Sequence, residues 1–422
     1  MRTVIFAAPF ALEATLRFAL GASRLPGVRL VGVMQEPPQG SERHIFADII
    51  TVPNVLDPEQ LIAGVEVARK RYGGLHRIIG VLEPLQTPLA LARQHFGLPG
   101  TDPHTAELFR DKALMKDRLR EAGIPVARHK LLHNEDDARA FAAEVGFPMV
   151  LKPPAGMGAK ATFRVSDEGQ LFGGVRGMRA SQDNPVLAEE MLTGTEGSCD
   201  TVTIGGEPQV FSISHYLPTP LEVLENPWIQ WMVHLPKDTD GEGYDDIKDL
   251  CRQVITTLGL KDGITHMEWF RRQDGSLAVG EIAQRPPGAQ ITRMIGLVHD
   301  IDPYRAWARA VIDGAFDGPW ERKYSAGTAY LRGMGRGRVT SVTGLDQARP
   351  RSASTWSKRC CRRWARPRTT PTKVTAGPSC VTPTAPWSST RSTSSCGRCA
   401  SATADRSPAP QGRTHEHPLC DR

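Results

Sequence analysis

The residues of this 422-residue chain best suited to chemistry lie in GITHMEWFRRQDGSLAVGEIAQRPPGAQ, Gly263 to Gln290. Glu268 and Glu281 stand thirteen positions apart, and Arg285 follows four later. The stretch reads as a β-hairpin. Gly263–Arg272 is rich in aromatic and β-branched residues, Leu277–Ile282 alternates, and Asp274-Gly275 between them is a turn signal, because a type I′ turn needs φ > 0 at both central residues. With Asp274-Gly275 as a two-residue loop, paired positions sum to 549 and Glu268 lies opposite Glu281 on one face. A four-residue loop keeps this register and a three-residue loop breaks it. Like charges directly opposite destabilise a sheet, so a compensating cation is expected. A hard divalent ion held by two carboxylates and phosphate oxygens fits. The plainer reading is a solvated face carrying two acidic residues. In the same register His266 pairs with Ala283, read as a satisfied structural histidine, with a supporting role behind the metal as the alternative.

A second group suits phosphate. In MVLKPPAGMGAKATFRV, Met149 to Val165, a strand carries Lys152 near its end and a loop with Gly156 and Gly158 follows. Glycines let backbone N–H groups approach phosphate closely, and a lysine adds a point charge. No Gly-Lys-Ser/Thr is present, so this is not a Walker loop, and alone it reads equally well as a plain hairpin connection. Lys112 follows Asp111 inside a helix expected over Thr105–Ala122, ended by Gly123-Ile124-Pro125.

These residues need a scaffold. Residues 1 to about 105 read as alternating strands and helices: strands at Thr3–Ala8, Val28–Val33, Ile49–Val52 and Arg77–Val81, with helices near Leu12–Gly21, Pro58–Tyr72 and Pro88–Phe96. This pattern argues for a parallel sheet. No G-x-G-x-x-G follows the first strand, which leaves dinucleotide binding unsupported. Glu83 and Gln86 sit just past a strand's carboxyl end, where open sheets place ligands, though ordinary loop polarity is the plainer reading. Further on, Val126–Leu132 is expected as a strand and Asn134–Val145 as a helix capped by Asn134. Val186–Leu192 is apolar apart from Glu189-Glu190, and Gly194–Gly197 reads as a turn. Thr201–Ile204 and Pro208–Ser214 are strands, Asp245–Leu258 is an amphipathic helix, and Pro303–Gly314 is a helix. Trp228 and Trp231 either line an acceptor site or pack in the core.

Taken in order, these pieces resemble an ATP-grasp protein over about residues 1 to 348. Lys112, in D-K followed by A-G-I-P, matches the first nucleotide lysine, and Lys152, in V-L-K-P, matches the second. Residues 155–162 match the loop over the triphosphate. E-E-M-L-T-G-T-E, containing Glu189, Glu190, Leu192 and Glu196, matches the hinge that holds adenine and ribose. Glu268, Glu281 and Arg285 match the metal and catalytic positions. H-M-E-W-F with E-I-A-Q-R-P-P-G resembles, more narrowly, the carboxylate–amine ligases. Two departures stand out: Ala283 occupies a place where many such enzymes carry Asn, which removes one metal ligand, and Ala161 replaces a loop glycine. The resemblance implies an α/β ATP-grasp fold with a Rossmann-like pre-ATP-grasp domain over 1–104. It implies an ATP-grasp domain over 105–317, its lid at about 123–190, and the start of an incomplete C-terminal β domain over 318–348. It implies an ADP-forming ligase using ATP and Mg²⁺, or Mn²⁺ in its place, on a small-molecule carboxylate and an amine, with a homodimer allowed. Glu281 and Arg285 would be catalytic, Glu268 and Glu281 would hold metal, and Lys112, Lys152, Gly156, Gly158 and the hinge residues would hold nucleotide. The alternative is a nucleotide-binding protein without turnover.

Composition sets limits. No run of eighteen apolar residues occurs, so no membrane span is expected. The apolar N-terminal stretch is broken by Glu13 and Arg17 and reads as strand then helix rather than a signal peptide, which places the chain in the cytoplasm. The formal charge of +6 is uneven. Residues 349–422 hold 14 Lys/Arg against 3 Asp/Glu, while the preceding 348 residues hold 38 against 43. The body, at net −5, offers no electrostatic case for nucleic acid. Only Cys199 and Cys251 lie in it, as expected of a reducing compartment. The last 74 residues contain no Ile, Phe, Tyr or Met and a single Leu, but 12 Arg, 11 Ser and 11 Thr. Such a segment buries too little apolar surface to offset its ordering entropy. It reads as a disordered tail produced by a frameshift near Gln347; a basic tail binding anionic partners is the competing reading.

Overall fold

The structure is a computed structural model that describes residues 1–156, 161–226, 228–331 and three short strands at 341–342, 379–382 and 402–403. The N-terminal unit holds β1 (Arg2–Phe10), α1 (Glu13–Ser23), β2 (Val28–Glu36), β3 (Asp48–Thr51), α2 (Pro58–Tyr72), β4 (Leu75–Ile79) and α3 (Gln86–His95). Its four strands run parallel in the order β3-β2-β1-β4. Both faces of β1 are buried, Phe6 and Val4 against α1, Ile5 and Ala7 against α2 and α3. A strand covered on both sides therefore reads as a continuous apolar run, as the sequence does here. Glu83 lies on a one-turn 3₁₀ segment just past the carboxyl end of β4.

The expected single helix over 105–122 is two. α4 (Pro103–Leu108) stops, and Asp111 then caps α5 (Lys112–Glu121), its carboxylate accepting from the backbone N–H of Ala113 and Leu114. An Asp directly before a helix satisfies otherwise orphaned N–H groups. Lys112 is consequently the first residue of a helix, not an interior one.

β5 (His129–Leu132), α6 (Glu135–Val145), β6 (Met149–Lys152), β7 (Phe163–Val165), α7 (Glu168–Gly177) and β8 (Val186–Glu190) form an antiparallel sheet ordered β5-β8-β6-β7, with both helices on one side. Its apolar face packs Leu132, Met149, Leu151 and Ala188 against Phe141 and Leu171.

The largest sheet is built from β9 (Thr195–Ile204), β10 (Glu207–Leu217), β11 (Trp231–Leu235), β12 (Gly263–Arg271), β13 (Leu277–Ala283) and β14 (Ser325–Tyr330), in the order β13-β12-β9-β10-β11-β14. α8 (Pro220–Glu225) bridges β10 and β11. The turn expected at 194–197 is instead strand from Thr195. Gly197 permits this, since a Cβ there would lie 2.1 Å from the Ser214 carbonyl oxygen and 2.6 Å from the Trp269 ring. One face of the sheet is covered by α9 (Asp245–Leu258), which buries Ile247, Leu250, Cys251, Val254, Ile255 and Leu258 against Cys199, Met267 and Trp269. At about 1.5–3 kcal/mol per large apolar side chain, this stripe is the main tether of that helix. α10 (Ile291–His299) covers the other face at the β10-β11-β14 end, and α11 (Pro303–Ala308) returns to pack on α1.

The central hairpin keeps the expected pairing of Glu268 with Glu281 and of His266 with Ala283, but not by the expected turn. Arg272 N–H donates to the Ser276 carbonyl and Gly275 N–H to the Arg272 carbonyl, with Gly275 at φ 85°. This is a three-residue loop, which alone would break the register. A bulge between Glu268 and Trp269 restores it by letting Gly280 stand unpaired. A Cβ at Gly280 would meet the Phe270 ring at 2.8 Å, so the bulge needs glycine.

Ser325–Tyr330, within the span expected to start a C-terminal β domain, pairs with β11; residues 332–340 and 343–348 of that span lie outside the described residues. Beyond it, β15 (Ser341–Val342) pairs with β17 (Ala402–Thr403), and β16 (Ser379–Thr382) pairs with β14 and extends the large sheet to seven strands. The rest of 349–422 lies outside the described residues.

Candidate active site

Glu196, Ser198 and Asp200 of β9, His266 and Glu268 of β12 and Glu281 of β13 share the sheet face opposite α9, because strand side chains alternate. The lid sheet and the start of α5 bring lysines to this face. Lys112 Nζ lies 3.0 Å from Glu281 Oε1 and donates to the Gly156 carbonyl at 2.9 Å. Lys152 Nζ lies 2.9 Å from Glu189 Oε2. Lys116, which the sequence reading passed over, is fully buried; its Nζ donates to the carbonyl of the bulged Gly280 at 2.5 Å and stands 3.4 Å from Glu189 Oε1. It lies on α5 one turn after Lys112, and i, i+4 spacing puts both on one helix face.

The electrostatics follow from this packing. Withdrawal from water pushes the Glu281 carboxyl up, but Lys112 and Lys152 outweigh it and the pKa falls below the ordinary value. Glu268 goes the other way, raised by desolvation and by the Glu281 charge opposite. Glu196 is raised by burial and by Glu268. Burial alone would raise Glu189, yet Lys116 and Lys152 bring it down. Burial lowers Lys116. Burial opposes the charge of Lys152 too, but Glu189 and Glu281 prevail and its pKa rises. The cations expected to relieve the Glu268–Glu281 repulsion are thus, in part, lysines of the chain.

Glu83 belongs to this site. Only 2% exposed, it accepts from Arg285 Nε at 3.0 Å and from Arg110 Nη1 at 3.1 Å. Arg110 also donates to the Ala155 and Gly156 carbonyls. Arg285 follows the end of β13, and its charge works to lower both Glu268 and Glu281, a smaller effect than burial at either. Reading Glu83 as ordinary loop polarity is corrected, because two guanidiniums converge on it. No local pattern could have shown this, since its partners are 27 and 202 positions away.

On the same face His266 Nδ1 meets Asp200 Oδ1 at 2.6 Å, and its Nε2 lies 3.4 Å from the Tyr216 hydroxyl and 3.8 Å from Glu268 Oε1. Ser198 donates to Asp200 at 3.1 Å and meets the Ser214 hydroxyl at 2.7 Å. This buried polar chain confirms a satisfied histidine and runs up to Glu268.

The hinge residues divide. The Glu189 carboxylate is turned inward to the lysines. Glu190, next along β8, points to the opposite face, where its carboxylate takes the backbone N–H of Arg128 at 2.9 Å and Arg128 Nε at 2.7 Å. It is therefore not free to hold a ligand through its side chain. Leu192 lies in the link between β8 and β9, and Glu196, at the start of β9, is 6% exposed. Among the described residues, the atoms nearest to where a Cβ on Gly156 would lie belong to Pro153, at 3.7 Å. Gly158 lies outside the described residues. Trp231 stacks on Tyr330 at 4.7 Å and belongs to the core, whereas Trp228 is 60% exposed.

The donor set suits a hard cation. Two carboxylates directly opposite, one with a raised pKa, gain from a divalent charge between them. Among the described residues no group of three or more His, Cys, Asp or Glu is placed to hold a metal ion; one or two carboxylates with water and phosphate oxygens is the usual set for Mg²⁺. Glu189 Oε1 is buried and meets no hydrogen-bond geometry among the described residues, but it faces the Lys116 ammonium at 3.4 Å. Among those residues, no helix is long and apolar enough to cross a membrane.

Residues 117–290 match the ATP-grasp domain family. Over 231 residues the chain is 31% identical to an L-arginine-specific L-amino acid ligase of Bacillus subtilis, covering 53% of this chain and 55% of that protein. The chain spans about half the length of the curated relatives it matches. The L-amino acid ligase from Bacillus licheniformis superposes with a TM-score of 0.68 at 19% identity, over 82% of this chain and 84% of that one. N5-carboxyaminoimidazole ribonucleotide synthetase from Thermotoga maritima superposes with a TM-score of 0.66 at 18% identity, over 90% and 94%. At these identities the superpositions establish a shared fold.

Proposed function

From the premise that residues 117–290 of this chain are an ATP-grasp domain, we propose that the protein is an ATP-dependent, ADP-forming carboxylate–amine ligase. The observation that carries the reading is the cross-strand pair of Glu268 and Glu281 with Lys112, Lys152 and Arg285 around it. Joining a carboxylate to an amine in water is uphill, so the acid must first be activated. A carboxylate oxygen attacks the γ-phosphorus in line, the bond to the β–γ bridging oxygen breaks, and ADP leaves behind an acyl phosphate. The amine then attacks the acyl carbon, phosphate departs, and the amine loses a proton.

The protein contributes placement and charge. Lys112 and Lys152 exchange their contacts with Glu281 and Glu189 for phosphate oxygens, and Gly156 and Gly158 let backbone N–H groups approach the phosphates. Glu189, Leu192 and Glu196 flank the nucleoside, and Glu190 contributes through its main chain. Glu268 and Glu281 hold Mg²⁺ or Mn²⁺, which supplies neutralisation of phosphate charge when bound. Arg285 stabilises the transferring phosphoryl group and the later tetrahedral intermediate.

The activity of the Bacillus subtilis relative makes L-amino acids the first substrates to try. A cytoplasmic location and a homodimer belong to the same proposal. The test is ADP release from Mg-ATP with L-amino acids offered singly and in pairs, with condensation products read by mass spectrometry. Stimulated ADP release with a new amide supports the ligase. Nucleotide binding with no substrate-stimulated ADP would overturn it in favour of binding without turnover.

A further inference from the structure

We propose that Glu83 is a positioning residue: a buried carboxylate from the N-terminal unit that sets the orientation of Arg285, with Arg110 as the second arm of the same clamp. This rests on the ligase reading for its kinetic consequence but not for its geometry. Glu83 is nearly inaccessible and accepts one hydrogen bond on each oxygen, from Arg285 Nε at 3.0 Å and Arg110 Nη1 at 3.1 Å. A carboxylate so deeply placed is costly unless both oxygens are paired, so its position is specified from both sides.

The manner of the contact matters. Glu83 takes Arg285 by Nε, not by its terminal fork. Nη1 of Arg285 donates to the Pro286 carbonyl at 3.3 Å, and Nη2 has no hydrogen-bond acceptor among the described residues. The guanidinium is fixed from behind through Nε, with a donor left over just past the end of the strand that carries Glu281. Arg110 ties the same carboxylate to the Ala155 and Gly156 carbonyls, next to the acceptor of Lys112. Two guanidiniums and one carboxylate leave one net positive charge, the amount suited to a single anionic group on a substrate. Glu83 opens a short 3₁₀ turn, Glu83-Pro84-Leu85, that follows a strand.

The experiment uses the full chain with Glu83→Gln, which keeps shape and one acceptor but removes the charge. Two readouts are taken. In steady state, kcat for amino-acid-dependent ADP release should fall about 10- to 100-fold, the scale of a small misplacement of a catalytic group, while KM for ATP stays within about twofold. The double variant with Arg285→Gln should be no slower than Arg285→Gln alone, because both act through one guanidinium. Independently of turnover, phenylglyoxal labelling of Arg285, followed by peptide mass spectrometry, should be several-fold faster in Glu83→Gln than in the parent protein. If the parent shows no stimulated ADP release, the ligase reading fails and the labelling still decides the clamp. Equal labelling rates overturn it, as does an unchanged kcat in an active enzyme. Should Glu83→Gln not fold, Glu83→Asp, which withdraws the charge by one methylene, is put through the same measurements and must move them in the same direction.

Discussion

At the scale of single residues, the site is a lattice of opposed charges in which two of the carboxylates already have a cation. Glu281 leans on Lys112 and Glu189 on Lys152, so each of these groups meant for a ligand also has a resting partner. This sets what substitution should do. Glu281→Gln removes charge but not shape, and we expect Mg²⁺-dependent ADP formation to drop by about 100-fold or more with the thermal midpoint little changed. Undiminished turnover in that variant would refute the metal assignment. Lys152→Met should weaken ATP binding by about 1.5–3 kcal/mol, the scale of hydrogen bonds to a charged group. It should also destabilise the apo protein, since buried Glu189 is then left with Lys116 alone. The pH dependence follows. Glu189 is held below its unfolded pKa, so its contribution is full above the unfolded value and is lost as pH falls through the folded one. Without Lys152 that depression shrinks, and the acid limb of the melting curve, measured between about pH 3 and 6, should move to higher pH. A coincident acid limb would show that Lys152 does not set the Glu189 charge.

At the scale of elements, two local devices aim the chemistry. The Asp111 cap starts α5 at Lys112, so the cap and the lysine are one feature. Asp111→Ala should lower stability by about 0.5–2 kcal/mol and also weaken nucleotide binding, because the first turn that carries Lys112 frays. Calorimetric titration with ADP reads the second effect. Lost stability with unaltered affinity would separate cap from site. The second device is the pairing of an odd hairpin loop with a bulge at Gly280. The bulge keeps the two glutamates opposed and turns its carbonyl to Lys116. Gly197 serves the neighbouring strand: Gly197→Ala drives a Cβ into the Ser214 carbonyl and the Trp269 ring. We expect a loss of about 1–3 kcal/mol from overpacking, visible as a lower urea midpoint at constant slope.

At the scale of the whole molecule, three sheets meet at one cleft. The N-terminal unit supplies Glu83, the lid supplies Lys152 and Glu189, and the large sheet supplies the glutamates and Arg285. Every residue assigned to nucleotide precedes Gln290, so truncation after Ala348 should leave ADP affinity within about twofold. It would also remove β16 and bare the edge of β14, and an exposed strand edge invites association. The truncated chain should therefore sediment as larger species than the parent at equal concentration. A tenfold loss of ADP affinity on truncation would show instead that residues after 348 shape the nucleotide site.

The sequence by itself determined the elements and much of their chemistry. The apolar strands β1, β2 and β4, the stripe on α9 and the opposition of Glu268 and Glu281 follow from local pattern, because periodicity and turn composition are local quantities, whereas Lys112 and Lys152 stand out only through the family resemblance and the order of its motifs. The hairpin shows the limit of that reasoning. Its register came out as expected although the turn did not, since a bulge is decided by Phe270 crowding Gly280 and not by the residues of the turn. Only the tertiary structure decided the rest. It turned Glu189 inward and Glu190 outward by the alternation of β8, buried Lys116 beneath the site, and joined Glu83 to Arg285 across 202 positions. Long-range ion pairs leave no periodic trace in a sequence, because what fixes them is the packing of whole sheets against one another.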